Sequence, residues 1–376
     1  MKEIIKFICQ YHIPVENDEG RTFTISSNDK ASYIHDVLVR LGYTVEVVSP
    51  TSAKKTSKCR KDWDRDNVLI ISGFSLGWYN SITRALSRFS TMVWLFFYML
   101  RHARRYETVF IYHGVQNIPV YLMLKRLKKL RYVLEVEEVY SSLAAKSGWR
   151  ARIEKKMIEH ADAYIFASEI LEKGCNKDNK PYAIAYGAYR LPVLAGIKQD
   201  DGKKHVVYAG LIRKDKVAFT SLRIAKYLPA DYHVHIIGYG EPADIDALKN
   251  ELEAQNKTSL CQATYDGLRR GKEYESFLQS CHIGVCPLVN DNVYQLACFP
   301  SKITSYLSNG LQVVTTENPV LRGSHYRTFL HFVTDDTPQS FAKAVESCAN
   351  SEAGNPRDCL TELDSNLVIA IGNLVK

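Results

Sequence analysis

The sequence predicts an α/β protein made of two Rossmann-like, doubly wound domains that face a central cleft. Three observations lead to this prediction. The chain has 376 residues, more than a single hydrophobic core usually organises. Short apolar runs typical of buried strands alternate with segments of helical periodicity. A stretch that contains Pro192, Gly196 and Gly202 divides this alternation into two series and has the composition of a linker.

The first series lies within residues 1–190, which we predict to form the N-terminal domain. Its helical periodicity is clearest over residues 30–41. Its apolar runs predict strands at 4–8, 44–48, 68–71, 109–112, 132–136 and 163–167. Strands that alternate with helices form parallel sheets, and such sheets bind ligands at the carboxyl ends of their strands.

The second series lies within residues 191–350, which we predict to form the C-terminal domain. Its apolar runs predict strands at 205–210, 233–237, 283–287, 313–316 and 329–333. We expect residues 351–376 to form a helix that packs back toward the N-terminal domain. The cleft between the two domains is the expected binding site.

The composition is that of an ordinary globular protein, with 46% hydrophobic and 24% charged residues. The nine cysteines include no CxxC pair, so neither a zinc site nor a disulfide framework is indicated. Residues 1–9 have the pattern of a first buried strand rather than of a signal peptide. These features favour a reducing, cytoplasmic location.

The positive charge is concentrated in the first half of the chain. Residues 1–190 contain 30 lysines and arginines against 20 acidic residues, whereas residues 191–376 contain 19 against 21. Such an imbalance indicates a polyanionic partner, either nucleic acid or an anionic membrane surface. The chain contains no pattern typical of a helix-turn-helix, an RNP motif or a zinc finger, so we expect a membrane surface and no nucleic acid.

The most hydrophobic segment is residues 90–100, and arginines flank it on both sides. At about 11 residues it is too short to cross a bilayer, which needs roughly 20. One interpretation is a buried helix of the first domain. The other is an interfacial helix whose aromatic side chains enter the headgroup region while the arginines bind anionic lipid.

Residues 299–310 predict a short helix that begins after a loop and ends at a glycine. Pro300 stands at the entrance, the apolar residues 303, 306 and 307 have helical spacing, and Gly310 suits a left-handed C-terminal cap. The helix N-terminus, the Ser301 hydroxyl and the Lys302 ammonium could together bind a phosphate group. An ordinary capped helix with a solvated lysine is the alternative.

Taken together, these motifs resemble the GT-B glycosyltransferases, specifically the large retaining group called family 4 and its bacterial surface-polysaccharide branch. Residues 160–169 and 185–189 resemble the end of that family's acceptor domain and the crossing into its donor domain. The segments that resemble the donor domain, in the family's order, are 207–210 with Lys216, 236–240, 265–268, 283–288, 299–302 and 306–310. Each segment alone is a weak signal, but their order and spacing are specific.

The resemblance implies a nucleotide diphosphate sugar as donor, and we expect it to be UDP- or GDP-linked. Gly210 would let the backbone approach the diphosphate, and Lys216 and Lys302 would be catalytic cations that stabilise the leaving nucleotide. Pro300 and Ser301 would complete the phosphate cradle.

Further donor contacts follow from the same resemblance. Arg213 or Lys214 would replace the arginine that the family carries at the position of Leu211. Gly238 and Gly240 are expected to form a tight turn around Tyr239. The nucleobase would bind at Tyr265, Gly267 and Arg269.

The chain departs from the family at the paired glutamates, because Ala297 and Ser305 stand at their two positions. Contacts to the donor ribose and sugar must therefore differ from those of the family. The departure also leaves open a non-catalytic relative that binds a partner, since a fold alone does not determine a function.

The N-terminal domain would bind the acceptor. His113, Glu137 and Glu138 follow predicted strands and are candidate catalytic residues, with the glutamates orienting or deprotonating the acceptor hydroxyl. Arg21 is a candidate ligand of the diphosphate. The alternatives are an ordinary surface-loop arginine for Arg21, ion pairs with the basic helices for the two glutamates, and a structural histidine for His113.

The function predicted from these features is transfer of a hexosyl or N-acetylhexosaminyl group to a glycan or a polyprenyl-linked glycan of capsule or lipopolysaccharide biosynthesis. The protein would act at the inner face of the cell membrane as a peripheral protein, with retention of configuration and with no metal or further cofactor. The alternatives are a scaffold subunit and a nucleotide-sugar 2-epimerase, which needs several carboxylates and a histidine around the sugar.

Overall fold

A computed structural model describes residues 2–13, 19–139, 148–194, 198–214, 217–288, 299–349 and 354–376. The chain divides into two compact units. The first comprises residues 1–188 together with 365–376, and the second comprises residues 189–364. Within the described ranges, no helix combines the length and the apolar composition needed to cross a membrane.

The first unit contains an eight-stranded sheet in the order β3-β4-β2-β1-β5-β6-β7-β8. All neighbouring strands are parallel except β3 and β4. The strands are β1 (Ile4–Ile8), β2 (Thr44–Ser49), β3 (Arg60–Arg65), β4 (Val68–Ser72), β5 (Thr108–Tyr112), β6 (Arg131–Val136), β7 (Ala163–Phe166) and β8 (Tyr182–Ile184). The central strands are nearly continuous apolar runs because helices cover both faces of such a sheet.

Helices of the first unit follow its strands in the expected alternation. They are α1 (Ile25–Arg40), α2 (Ser81–His102), α3 (Ile118–Lys128), α4 (Trp149–His160) and α5 (Glu169–Cys175). Helix α1 begins five residues earlier than predicted, because the Thr24 side chain accepts a hydrogen bond from the Ser27 amide and caps it. Helix α2 begins at a capping box formed by Asn80 and Thr83.

The second unit contains a six-stranded, wholly parallel sheet in the order β11-β10-β9-β12-β13-β14. Its strands are β9 (Lys204–Ile212), β10 (Tyr232–Gly240), β11 (Gln262–Gly267), β12 (Ile283–Cys286), β13 (Gln312–Thr316) and β14 (Leu330–Val333). Its helices are α6 (Val217–Arg223), α7 (Pro242–Asn256), α8 (Gly271–Ser280), α9 (Ser301–Ser308), α10 (Pro319–Gly323), α11 (Pro338–Cys348) and α12 (Pro356–Val375). A buried core that includes Val234, Ile236 and Phe341 joins this sheet to its helices.

Helix α12 contributes to both units. Its first part belongs to the second unit, where the Arg357 guanidinium donates hydrogen bonds to the carbonyls of Ser308 and Pro192. Its last part belongs to the first unit, where the Leu374 carbonyl accepts a hydrogen bond from Arg131. Leu367, Ile371 and Leu374 are buried, so this end of the helix is part of the first unit's core.

Candidate functional site

Two glycines lie side by side near the carboxyl ends of β9 and β10. Gly210 and Gly238 occupy paired positions of the two strands. A Cβ atom on Gly238 would stand 1.8 Å from the Gly210 carbonyl oxygen, so only glycine fits there. Gly238, Tyr239 and Gly240 belong to β10, and the turn predicted from their sequence is therefore wrong. Gly238 and Gly240 instead allow β9 and β10 to lie close together.

The space above Gly210 is occupied by the side chain of Lys302. A Cβ atom on Gly210 would stand 2.4 Å from Lys302 Cε and 2.8 Å from Nζ. The ammonium donates a hydrogen bond to the Tyr208 hydroxyl at 3.2 Å and lies 4.5 Å from the centre of the Tyr208 ring. The motif around Gly210 and the motif around Lys302, which are the first and last motifs of the predicted phosphate site, therefore lie next to each other in the folded chain.

The electrostatic setting keeps Lys302 charged. Burial acts against the ammonium, but the Tyr208 hydroxyl and the Cys286 thiol beside it outweigh burial and raise the pKa of Lys302 above its ordinary value. Among the described residues, no carboxylate pairs with this lysine. A half-buried cation without a counter-charge from the protein is suited to bind an anion.

Helix α9 holds Lys302 in its first turn. Pro300 is the N-cap residue and makes no side-chain cap, and Ser301 is exposed. The buried Tyr306 fixes the helix to β9, because its hydroxyl accepts a hydrogen bond from the Ala209 amide at 2.8 Å. The first amides of a helix lack intrahelical partners, so the N-terminus of α9 adds donors and a positive dipole beside Lys302.

The C-terminus of α9 ends as the sequence predicts. Gly310 has a φ of +77°, the left-handed conformation that glycine adopts without strain. The Gly310 amide donates to the Leu307 carbonyl and the Leu311 amide donates to the Tyr306 carbonyl. This is the Schellman pattern, and it fixes the length of the helix.

The position expected to hold a glutamate forms a different contact. The Ser305 and Tyr274 hydroxyls lie 3.1 Å apart, which joins α9 to α8. Tyr208 and Tyr274 therefore contact side chains of α9, and Tyr306 joins α9 to β9. The motifs of the sequence include Tyr208 and Tyr306, but none of the three tyrosines was predicted to support the site. Their positions in a strand or a helix resemble ordinary core positions, so no local signal marked them.

The segment predicted to hold the nucleobase lies at the end of β11. The Tyr265 hydroxyl donates to the Gly238 carbonyl at 3.1 Å, which connects this segment to the paired glycines. Gly267 has a φ of +78° at a bulge between β10 and β11. The Arg269 guanidinium lies 5.5 Å from the centre of the Phe277 ring, and its Nε has no hydrogen-bond partner.

The loop after β9 is only partly described. Arg213 and Lys214 are exposed, and the Lys214 amide donates to the Asp244 carboxylate at 3.1 Å. Lys216 and Ala297 lie outside the described residues. The catalytic role of Lys216 therefore stays a prediction.

The candidate residues of the first unit lie in buried polar networks. The His113 ring donates from Nδ1 to the Glu138 carbonyl at 2.9 Å, and its Nε2 lies 3.3 Å from the Glu154 carboxylate. Burial lowers the pKa of His113. Both members of the pair are buried, an arrangement typical of a structural histidine and not of a substrate contact.

The Arg21 side chain forms hydrogen bonds with other groups of the first unit. Its buried guanidinium donates to the carbonyl and hydroxyl of Thr51, to the Gly73 carbonyl and to the Glu19 carboxylate. The side chain has no exposed area. The loop around 51–53 and the end of β4 bind the guanidinium, so the structure favours a structural role, and the contact of Arg21 with a diphosphate stays a prediction.

A carboxyl pair lies at the end of β6. Glu137 is 3.0 Å from the Lys30 ammonium, which also donates to the Ala185 carbonyl. Glu135 is fully buried, and neither of its carboxyl oxygens has a hydrogen-bond partner within the described ranges of the chain. Burial and the neighbouring Glu137 raise the pKa of Glu135 well above its ordinary value. Of the two predicted glutamates, Glu137 alone brings a carboxylate to this pair, since Glu138 contributes its carbonyl to His113.

Metal binding has no obvious place in this arrangement. Across the parts of the chain that the structure describes, no group of three or more His, Cys, Asp or Glu side chains is positioned to hold a metal ion. The candidate phosphate site contains an ammonium group and helix amides, which bind anions.

Comparison with models of known protein families found no match, and comparison with curated proteins found none either. Many solved structures match over nearly the whole chain. Sucrose-phosphate synthase from Thermosynechococcus elongatus matches with a TM-score of 0.72 and 13% identity, covering 99% of this chain and 98% of that one. The HepE protein from Anabaena, in complex with UDP and glucose, matches with a TM-score of 0.63 and 10% identity, covering 100% and 98%.

A UDP-forming alpha,alpha-trehalose-phosphate synthase from Burkholderia xenovorans, in complex with glucose-6-phosphate, matches with a TM-score of 0.62 and 10% identity, covering 99% and 96%. The chain has the GT-B fold. The predicted fold class is confirmed. At such low identity the likeness shows the fold alone, so the resemblance to family 4 and to its surface-polysaccharide branch stays a prediction.

Proposed function

We propose that the protein is a glycosyltransferase that takes a sugar from a nucleotide diphosphate donor. The observation that supports this most directly is the Lys302 ammonium, held over Gly210 at the N-terminus of α9 with no carboxylate from the described residues paired with it. Cations and helix N-termini stabilise the charge that develops on a leaving diphosphate. The GT-B fold of the chain is consistent with this chemistry.

In the proposed reaction the bond between the anomeric carbon and the β-phosphate oxygen breaks, and the nucleoside diphosphate leaves with the bonding electrons. The acceptor oxygen forms the new glycosidic bond, and its proton passes to the oxygen of the departing diphosphate. Lys302, the α9 amides and Lys216 stabilise the departing diphosphate. Retention of configuration is proposed from the resemblance to family 4.

UDP is the first nucleotide to test. One similar structure contains UDP and glucose, and another is described as UDP-forming. GDP is the alternative, and both hexosyl and N-acetylhexosaminyl donors belong in the screen. The acceptor that we propose is a glycan or a polyprenyl-linked glycan at the inner face of the membrane, supported by the excess of basic residues within 1–190.

The test begins with nucleotide binding measured by calorimetry. We expect UDP or GDP to bind the wild-type protein, and Lys302→Met to weaken the affinity roughly tenfold or more, because a charge-assisted hydrogen bond is lost. Lys257→Met is the matched control, since Lys257 is an exposed lysine at the end of α7. Equal affinities of wild type and Lys302→Met would contradict the proposed site.

The second step separates the transferase from its alternatives. We expect slow release of UDP or GDP from one of the donor sugars, lost in Lys302→Met. Binding without release from any donor would favour a non-catalytic scaffold. A changed configuration at carbon 2 of the sugar, seen by NMR, would favour an epimerase.

A further inference from the structure

Helix α2 buries a row that is half polar and exposes a row that is apolar. Its fully buried residues are Ser87, Thr91, Leu95 and Met99, which are spaced four apart and form one row. Ser87 lies 2.9 Å from the Ser75 hydroxyl, and the Thr91 hydroxyl donates to the Arg88 carbonyl. Half of the row that faces the unit is thus made of hydroxyl side chains. The interpretation of residues 90–100 as a simply buried helix does not describe this arrangement.

The opposite side of α2 carries an exposed apolar row. We define this row as Ile82, Leu86, Phe89, Val93 and Phe97, all of which are exposed. At 3.6 residues per turn these positions lie directly across the helix from the buried row. Ile82 is 72% exposed, Phe89 63% and Phe97 62%.

The apolar row continues beyond α2. Tyr79, just before the helix, is 84% exposed. Helix α3 packs against α2 and exposes Met123 and Leu127, which are one turn apart. Soluble monomers rarely expose a connected apolar surface of this kind, and such surfaces mark interaction sites.

The charges around the apolar row identify the partner. Helix α2 contains three arginines and no acidic residue. Arg84 and Arg88 are exposed near its first turns but lie in line with the buried row, whereas Arg101 is exposed one turn after Phe97. Arg104 and Arg105 follow directly and are also exposed. Exposed arginines at the end of an apolar row match a surface that has an apolar interior and anionic headgroups.

A second copy of the chain fits this surface poorly. An antiparallel contact between two apolar rows would place Arg101 and Arg104 of each copy beside the first turns of α2 in the other, which carry no acidic residue. A parallel contact would align identical arginines. The first arrangement leaves these arginines without acidic partners and the second brings like charges together, so neither favours association.

We propose that α2, with the exposed face of α3, docks the first unit on an anionic lipid bilayer. The apolar row enters the boundary between headgroups and acyl chains, and the arginines bind lipid phosphates. This docking rests on the proposed function for the nature of the acceptor, because it would bring the protein to a lipid-linked glycan. It does not require any helix to cross the bilayer.

The test is co-sedimentation with vesicles made of equal parts phosphatidylglycerol and phosphatidylcholine, and with vesicles of phosphatidylcholine alone. We expect binding to the anionic vesicles and weak binding to the neutral ones. The double variant Phe89→Ser with Phe97→Ser should reduce the bound fraction roughly tenfold or more, because two aromatic side chains no longer enter the bilayer. Leu260→Ser and Ile369→Ser are the matched controls, since both residues are exposed and apolar but lie outside this surface.

A triple variant that changes Arg101, Arg104 and Arg105 to glutamine tests the charge. It should lose most of its binding to anionic vesicles, and raised salt should have the same effect on the wild type. UDP or GDP affinity is measured in every variant and should stay at the wild-type value, which shows that the fold is intact and separates this proposal from the nucleotide site.

Three outcomes would overturn the proposal. Failure of the wild type to bind either kind of vesicle would do so. Equal binding by wild type and the phenylalanine double variant would show that the apolar row is not the docking surface. A dimer in sedimentation velocity that the double variant abolishes would assign the row to a second copy of the chain.

Discussion

The two units use their charged candidate residues in opposite ways. In the second unit, Lys302 lies over a glycine and donates to a neutral tyrosine hydroxyl. In the first unit, Arg21 faces Glu19 and His113 faces Glu154. The difference shows that a motif position alone does not make a ligand-binding cation. The protein must also leave the cation without a counter-charge, and that property depends on distant segments of the chain.

The largest expected effect belongs to Gly238→Ala in the second unit. The new Cβ would overlap the Gly210 carbonyl, and the two strands cannot separate without breaking their ladder. We expect a loss of stability of about 4 kcal/mol, or failure to fold. Chemical denaturation measures it.

Gly174→Ala is the control for that substitution. Nothing stands within 4 Å of its added Cβ, and Gly174 lies in helix α5. We expect the free energy of unfolding of this variant to rise by about 0.5–1 kcal/mol. A Gly238→Ala protein as stable as the wild type would show that β9 and β10 are not so closely paired.

Arg21→Met tests whether the first unit's arginine is structural. The substitution would remove the guanidinium that donates to the Glu19 carboxylate and to the Gly73 carbonyl. We therefore expect the free energy of unfolding, measured with a chemical denaturant, to fall by about 2–3 kcal/mol. Nucleotide affinity should be unchanged. Weakened nucleotide binding without lost stability would instead return Arg21 to the donor site.

Gly210→Ala tests whether the second unit needs a glycine below the Lys302 ammonium. The added Cβ would displace the flexible end of Lys302 and strain a φ of +157°, so we expect nucleotide affinity to fall roughly tenfold, about 1.4 kcal/mol. The same change in the Lys302→Met background should have little further effect on affinity. An equal loss in both backgrounds would mean that Gly210 acts independently of Lys302.

Glu135→Gln probes the buried carboxyl of the first unit and is the smallest expected effect. Because the pKa of Glu135 is raised in the folded protein, the folded state binds the extra proton, and its stability should fall as the pH rises above about 4.5. The stability of the glutamine variant should not show this fall with rising pH, and at neutral pH the variant should be at least as stable as the wild type. Glu253→Gln, at an exposed position, is the control. Parallel stability curves for wild type and Glu135→Gln would contradict the raised pKa.

The sequence predicted the central strands and missed three others. Strands β3, β8 and β11 all lie at sheet edges. An edge strand packs on one neighbour only, so it does not need the apolar run that marks a central strand. Strand β3, with the sequence RKDWDR, shows this most clearly.

The candidate site was predictable in part. Helix α9, its left-handed Gly310 and the nearness of Gly210 to Lys302 followed from local motifs and their order. The contacts of Tyr208, Tyr274 and Tyr306 did not, because these residues meet only through tertiary packing. The same limit explains why the intramolecular partners of Arg21 at residues 51 and 73 were not predicted.

The division of α12 between the units has a consequence for biosynthesis. Residues 365–376 belong to the first unit, although all of the second unit precedes them in the chain. During translation, residues 1–188 emerge first, but their core lacks Leu367, Ile371 and Leu374 until the ribosome has made the C-terminal helix. The second unit can therefore complete its fold before the first, so that the order of folding is the reverse of the order of synthesis.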